Sequence, residues 1–554
     1  MPTAPSTTAM SVPGAGKPPK RLPNPPPIPS VPHPLCKTLP YPSMRSPTLS
    51  LPPVQRLLPP NFDLAAHLAA HPPNFRPFHP DYLVQVLHLV GERLADRKLA
   101  ATAEAPPDRA PTAAGKQRRR GFASLNASRL QKFLRNYRAY LDYLVATHVL
   151  EEDPRYSNGR YCRAFRFAAP YRRPAPGGGP GQLVTVSKLW LLRALQVQRQ
   201  QPGTVTAEKS AQHAGLLGWL DPRTTPLRID AAAARAAAEA LYHQRQQTPE
   251  PKLTRRGVAY QRPRYKDAAL QYRQDLLYVG RLEERDLRPG FDRQGRLYTA
   301  LAGMSKRMRQ YVSAENYGQL VSLDIRNSQP FICNLLLQSA FLLPPEAVPP
   351  ERLTLVSHGG EASRQLLQHD PGLVERLRRL LANAPPDVAE FGAWTSGGQF
   401  YERLQAALAA AEPERVQPRS REALKGLLLG ILYGRLDHQL PAGLVREDTA
   451  RRAARQVFAT ALPTVSAVLD EYKRHRHELL PLLLQTLEAE LVLGVVAQRI
   501  SLLHSNIPLF SIHDALVTPS EHADQIEALM RQELKRAVGY EPQIGRTVYS
   551  PKPG

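Results

Sequence analysis

Apolar and polar residues alternate along GQLVSLDIRNSQPFI, so that Val321, Leu323 and Ile325 fall on one face of a strand and Leu320, Ser322 and Asp324 on the other. Asp324 therefore ends a predicted strand, facing away from its apolar side. A second stretch, IPLFSIHDALVTP, divides into two apolar arms, Pro508 to Ile512 and Ala515 to Val517, and reads as a tight hairpin with His513 and Asp514 at its tip. Ile526, Leu529, Met530 and Leu534 then recur at helical spacing between Glu521 and Ala537, and Pro542 to Ser550 supplies a closing strand. Strand, hairpin, helix and strand predict an α+β sheet layer.

Between the two carboxylates, REALKGLLLGILYG reads as a helix with Arg421, Lys425, Leu429 and Tyr433 at four-residue steps. Each step turns the stripe by about 40°, so it drifts across about 120° while climbing roughly 18 Å and can touch both ends of one nucleotide. Ser420 is the expected N-cap, which places Arg421 in the first turn, where the helix dipole favours a phosphate. Gly426 and Gly430 each cost a helix about 1 kcal/mol relative to alanine, a cost tolerated where something bulky must come close. A base pair or a neighbouring helix would serve. Paired carboxylates beside a cationic helix are what nucleotidyl transfer requires.

Upstream, Leu130, Phe133, Leu134, Tyr137, Leu141, Leu144 and Val145 recur with helical period from Ser128 to Val145. VLEEDPRYSNGRYCRAFRF follows, with a type I′ turn signal at Asn158-Gly159. A helix followed by an aromatic, basic hairpin suggests a winged helix, with Arg160, Arg163 and Arg166 along duplex phosphates; a plain packing hairpin explains the pattern equally well. PAPGGGPG is a linker, and further helices are expected at Lys188 to Gln200, Ala231 to Gln246 and Lys266 to Val279. Residues 1–80 are proline-rich and poor in aromatics, which predicts a disordered tail. Ala101 to Arg120 ends in KQRRR, either a phosphate-binding or a merely solvated linker. The predicted domains are thus a tail over 1–80, a helical and winged-helix-like nucleic-acid-binding region over 81–175, a helical region over 176–290, and the carboxylate-bearing part over 291–554.

A formal charge of +25 across 554 residues, with a pI near 10.1, sets up a positive field suited to a phosphate polymer, and binding of this kind weakens steeply with salt. No apolar run looks long enough to span a membrane and MPTAPSTTAM lacks a signal-peptide core, which predicts a cytoplasmic protein. Cys36, Cys162 and Cys333 lie too far apart in sequence for a disulfide framework or a zinc motif.

The order and spacing of these pieces resemble the family A, DNA polymerase I-type and single-subunit RNA polymerase superfamily. Asp324 matches the motif A aspartate; Arg421, Lys425, Tyr433 and Gly434 match motif B; His513 and Asp514 match motif C. GRLYTALAGMSKRMRQYV resembles the segment before motif A, and the similarity covers about Asp292 to Gly554. The resemblance implies a right-hand polymerase with palm, fingers and a helical thumb before the palm. It implies two Mg²⁺ ions, with Mn²⁺ as a substitute, held by Asp324, Asp514 and the backbone carbonyl of Ile325. Lys425 would neutralise and protonate the leaving phosphates, Arg421 would hold the triphosphate tail, and Tyr433 would stack near the nascent base pair. His513 would steady the primer end and Arg296 and Thr299 would approach the minor groove; for Arg296 and the basic cluster Lys306, Arg307 and Arg309, a nucleic-acid contact and a solvated basic loop explain the pattern equally well. The partners implied are a DNA primer-template and nucleoside triphosphates.

Three positions depart from the family. Ala515 replaces the glutamate that DNA polymerases carry after the motif C aspartate, a glutamate that RNA polymerase relatives also lack. Gln329 falls where a sugar-discriminating glutamate is expected, and Leu429 replaces an aromatic residue. The interval from Tyr433 to His513 is short, which suggests trimmed fingers. Two products therefore stay open: DNA, from a compact polymerase of a mobile element, phage or plasmid-like replicon, or RNA, from a single-subunit RNA polymerase or primase-like enzyme. No upstream carboxylate group suggests a proofreading exonuclease. Singly, each motif has an ordinary alternative, a loop cap for Asp324, a solvated face for Arg421 and Lys425, and a core aromatic for Tyr433. A contrasting class is a non-catalytic DNA-binding replication protein with a decayed polymerase body.

Overall fold

The computed structural model describes residues 51 to 550 apart from 96–120, 154–162, 176–177, 201–204, 248–252, 256–257, 261–267, 350–351, 412–420, 437–438 and 440–448. Two hydrophobic cores organise it.

The N-terminal core is built from Leu83, Val86, Leu87 and Val90 of the helix Pro80–Ala95, Tyr140 and Leu144 of the helix Tyr137–Ala146, and Leu191, Leu192 and Leu195 of the helix Leu189–Gln200. A small antiparallel sheet of Ala123–Ser124, Ala164–Phe167 and Leu150–Glu152 closes it. Two expected boundaries move. The tail expected over residues 1–80 does not reach its predicted end, because Val54–Leu57 pairs antiparallel with Leu183–Val186 and Val54, Leu58 and Phe62 are buried. Pairing and apolar burial there outweigh proline content; residues 1–50 lie outside the described set. The same strand pair carries the N-terminal unit past residue 175, to the end of the helix Leu189–Gln200.

The single helix expected from Ser128 to Val145 is instead two, Ala127–Gln131 and Tyr137–Ala146. Asn136 between them donates its amide to the carbonyl of Pro77 at 2.9 Å, while Leu130, Phe133 and Leu134 stay buried through the break. Tertiary packing overrides the periodicity. The Asn158-Gly159 turn falls outside the described residues, although its flanking strands pair in register, Leu150 with Phe167 and Glu152 with Phe165.

Helices Ala231–Gln247 and Ala268–Glu283 pack lengthwise through Ala234, Ala238 and Tyr242 on one and Tyr272, Leu276 and Val279 on the other. The C-terminal sheet has six strands, with Gly318–Ile325 at its centre. That strand pairs antiparallel with Ala515–Pro519 on one side and Ile544–Val548 on the other, and its start meets Val312–Ala314. Leu227–Ile229, a short strand the periodicity did not signal, joins as the edge beyond Val312–Ala314. The helix Ala523–Val538 buries Ile526, Met530 and Leu534 and stops at Gly539, whose φ of +83° closes it with an N–H bond to Lys535.

Continuous helix runs from Leu479 to Leu503, passing through a π-helical segment at Glu490–Ala497. This 25-residue helix does reach the length and composition of a membrane span, correcting the expectation from sequence. Here Leu480, Leu483, Leu484, Leu487 and Leu491 are instead buried in the main core.

Candidate active site

Asp324 lies opposite Ala515 on one neighbouring strand and Gly545 on the other. Asp514 sits one residue before Ala515, in a two-residue turn closed by the pair Ile512–Ala515, and the turn is made by His513 in left-handed backbone at φ +55°. The Ile325 N–H reaches the carbonyl of Asp514 at 3.4 Å, so the strand end and the hairpin tip are joined beside the two carboxylates. Gly545 explains how the carboxylate fits: a Cβ there would lie 3.0 Å from Asp324 Oδ1. Burial raises the pKa of Asp324, and the charge of Asp514 raises it further, against Lys306 and Arg326. Burial likewise raises Asp514, against a hydrogen bond from Ser328 and the charges of Lys425 and Arg296. The sequence-predicted pair is thus brought together, half-buried and mutually repelling.

The helix Arg421–Tyr433 forms as expected, with Leu424, Leu428, Ile431 and Leu432 buried beneath it. Lys473, fully buried, donates Nζ to the carbonyl of Ile431 at 2.7 Å and holds the helix end in place. Lys425 is exposed, on the side whose charge reaches Asp514. Gly426 next to it would place a Cβ against nothing within 4 Å, so the protein's own packing does not require a glycine there. Leu429 is half-buried, and the N–H of Gly434 bonds back to Gly430 at 2.9 Å. Arg421 opens the helix; its side chain, like the expected cap Ser420, lies outside the described residues.

One residue of the candidate site was missed. Glu488, buried at 3% exposure, accepts from the Gln329 amide and pairs with Arg296 at 2.7 Å. Gln329 turns its other amide atom to the Tyr433 hydroxyl, which donates at 2.9 Å. A chain of contacts therefore runs from Arg296 through Glu488 and Gln329 to Tyr433. Burial pushes the Glu488 carboxyl up to about 7 against the pull of Arg296, with Asp514 adding to the push. Burial also raises the Tyr433 hydroxyl. The two glutamates of LLQTLEAELVLGVV, Glu488 and Glu490, were the available signal: a charge within an apolar helix needs a partner.

Several expected nucleic-acid contacts have other duties. Thr299 is buried and caps a short helix, its Oγ1 accepting from the Ala302 N–H at 3.1 Å, so it does not reach out toward a groove. Arg309 donates to the carbonyls of Met304 and Ala302 at 3.0 and 3.3 Å, whereas Lys306 and Arg307 are exposed. Arg163 is committed to Glu152 and Asp142, each at 2.7 Å, which neutralises it on the protein itself. Arg160 lies outside the described residues. Arg296 is half-buried on Glu488, and His513 rests edge-on against Tyr298 with ring centroids 5.5 Å apart.

No protein-family model matches the chain, and no curated protein matches it. Among solved structures it is similar to the POL domain of Pol1 from M. smegmatis, in complex with DNA primer-template and dNTP. That likeness has 14% sequence identity and a TM-score of 0.31, over 66% of this chain and 70% of the other. At that level the functional reading rests on the site.

Proposed function

We propose that the chain catalyses template-directed nucleotidyl transfer, as a DNA polymerase extending a primer 3′ end with dNTPs. The carrying observation is the convergence of Asp324 and Asp514 at the end of one antiparallel strand pair, with the Lys425 helix beside them. Among the described residues no group of three or more His, Cys, Asp or Glu side chains is placed to hold a metal. Two carboxylates suit Mg²⁺, which binds few protein carboxylates and completes its shell with water and substrate phosphate oxygens. The repulsion that Asp514 exerts on Asp324 fits a cation between them.

Asp324 and Asp514, with the backbone at Ile325, would hold two Mg²⁺ ions, whose charge when bound favours in-line attack of a 3′-hydroxyl on an α-phosphate. Lys425 is an exposed cation on the fingers-like helix whose charge reaches Asp514, and it neutralises the leaving phosphates; its ammonium also supplies the proton they need. Arg421, one turn earlier, holds the triphosphate tail at the helix N-terminus. Tyr433 packs by the nascent base pair, its hydroxyl fixed by Gln329, so those two residues bear on the choice of sugar. His513 steadies the primer end. RNA synthesis by a primase-like enzyme is the second reading, favoured by Gln329, whose amide is held at both ends by protein partners.

A primed template incubated with Mg²⁺ and either dNTPs or rNTPs tests both readings. We expect extension with dNTPs, and its loss by at least about a thousandfold in Asp324→Asn and in Asp514→Asn, the scale of several kcal/mol that metal-assisted charge stabilisation supplies. Wild-type rates in both variants would falsify the site assignment, and a non-catalytic binder would extend neither nucleotide set.

A further inference from the structure

We infer that the N-terminal unit forms one wall of a nucleic-acid channel that leads to the aspartate hairpin, and that the channel grips phosphates through Arg93 of that unit and Arg223 and Arg293 of the main unit. The inference builds on the nucleotidyl-transfer reading but concerns a different surface, contributed mostly by residues upstream of the region that resembles polymerases.

A cleft of about 1760 Å³ is lined by His513 and Tyr298 beside Asp514, by the helix Ala268–Glu283, and by Lys132 and Phe133 of the N-terminal unit. Small-molecule sites occupy about 300–1,000 Å³, so this space suits a polymer rather than a metabolite. Ten lysines and arginines line it against five carboxylates.

Seven of those ten cations fall into two sets. Arg56 and Arg199 converge on Glu284, while Arg281 and Arg288 converge on the buried Glu92, with Arg288 also on Asp286. This set fastens the N-terminal unit to the helix Ala268–Glu283 and so fixes the wall in position. Arg93, Arg223 and Arg293 form the other set. They come from three separate segments, all facing the same cleft, and none has an ion pair among the described residues. Arg223 and Arg293 are exposed and Arg93 is half-exposed. Cations that outnumber the carboxylates on one cleft leave a positive field that an entering polyanion neutralises.

Gly280 is an independent second sign. It lies within the 16-residue helix Ala268–Glu283, where glycine costs about 1 kcal/mol relative to alanine. A Cβ there would meet nothing within 4 Å, yet the residue lines the cleft. The helix thus carries bare backbone toward the channel where its own packing asks for none, which suits close approach by a strand.

The test is binding without catalysis. Fluorescence anisotropy of a labelled recessed-end duplex, and of a single strand of equal length, would be followed against salt in EDTA without nucleotide. Replacing Arg93, Arg223 and Arg293 together by glutamate should weaken duplex binding by roughly tenfold or more and make the log–log salt slope shallower by about 2 to 3, since each phosphate contact contributes about 0.9. Gly280→Leu should weaken binding several-fold with no fall in thermal midpoint, because leucine is the better helix former. Wild-type affinity and slope in the triple variant, or wild-type affinity in Gly280→Leu, would overturn the channel. An equal loss on single strand and duplex supports it, with the contacts assigned to one strand's phosphates. Failure to extend primers would end the polymerase reading and leave these binding results standing; extension with an unaffected triple variant would end only the channel.

Discussion

In the N-terminal unit, apart from Arg93, arginines meet carboxylates in a series of pairs: Arg163 meets Glu152 and Asp142, Arg166 and Arg172 share Glu151, and Arg56 and Arg199 share Glu284. At the C-terminal hairpin the balance is different, since Asp324 and Asp514 have no ion pair within reach among the described residues and their pKa values rise. Matched charges define a shape, whereas the unmatched carboxylates mark where a cation and a substrate complete the structure. The contrast also explains why net charge alone misdirects. Arg163 and Arg309 count toward +25 yet are already occupied, while Lys425 and Lys306 are exposed.

The strongest way to sharpen the contrast after the aspartates themselves is Lys425→Ala. Primer extension should fall by about a hundredfold to a thousandfold, the scale of lost proton transfer and charge stabilisation. Duplex affinity measured by anisotropy should stay within about twofold.

Glu488 lies between the two regimes, a buried carboxylate paired with Arg296, whose charge also reaches Asp514. Glu488→Ala leaves Arg296 without its partner, so urea unfolding should show a loss of about 3 kcal/mol, as for a broken buried pair. The pH dependence follows from its raised carboxyl pKa of about 7. Between the ordinary carboxylate range and 7 the folded state keeps a proton that the unfolded chain releases, so stability falls as pH rises through that window. Asp324 and Asp514, also raised, act in the same direction. Stability measured from pH 5 to 8 should fall in the wild type and fall less in Glu488→Gln; identical slopes would remove Glu488 as the cause.

Tyr433→Phe removes one hydrogen bond, at a cost of about 1 kcal/mol in unfolding experiments. Its sharper readout is the ratio of dNTP to rNTP incorporation, which should shift several-fold. The smallest effect is expected from Arg163→Ala, about 1 kcal/mol or less in stability for a half-exposed ion pair. Nucleic-acid affinity should not change. A clear loss of affinity there would restore the winged-helix contact and blur the distinction between matched and unmatched charge.

The sequence by itself determined the local frame of the site. Alternation fixed the strand that ends in Asp324, two apolar arms fixed the His513-Asp514 turn, and helical period fixed Arg421 to Tyr433, because each pattern is dictated within a few residues by backbone geometry and apolar burial. Tertiary structure alone decided which charges are free. Glu488 reaches Gln329 and Arg296 across 159 residues and more of chain, Gly545 makes room for Asp324 from another strand, and Thr299 and Arg309 turn inward. It also folded residues 51–80 and split the helix near Asn136, since the partners that outweigh local preference there are distant in sequence. Whether a charge is already neutralised depends on what lies within a few ångströms in space, which no local pattern of residues records.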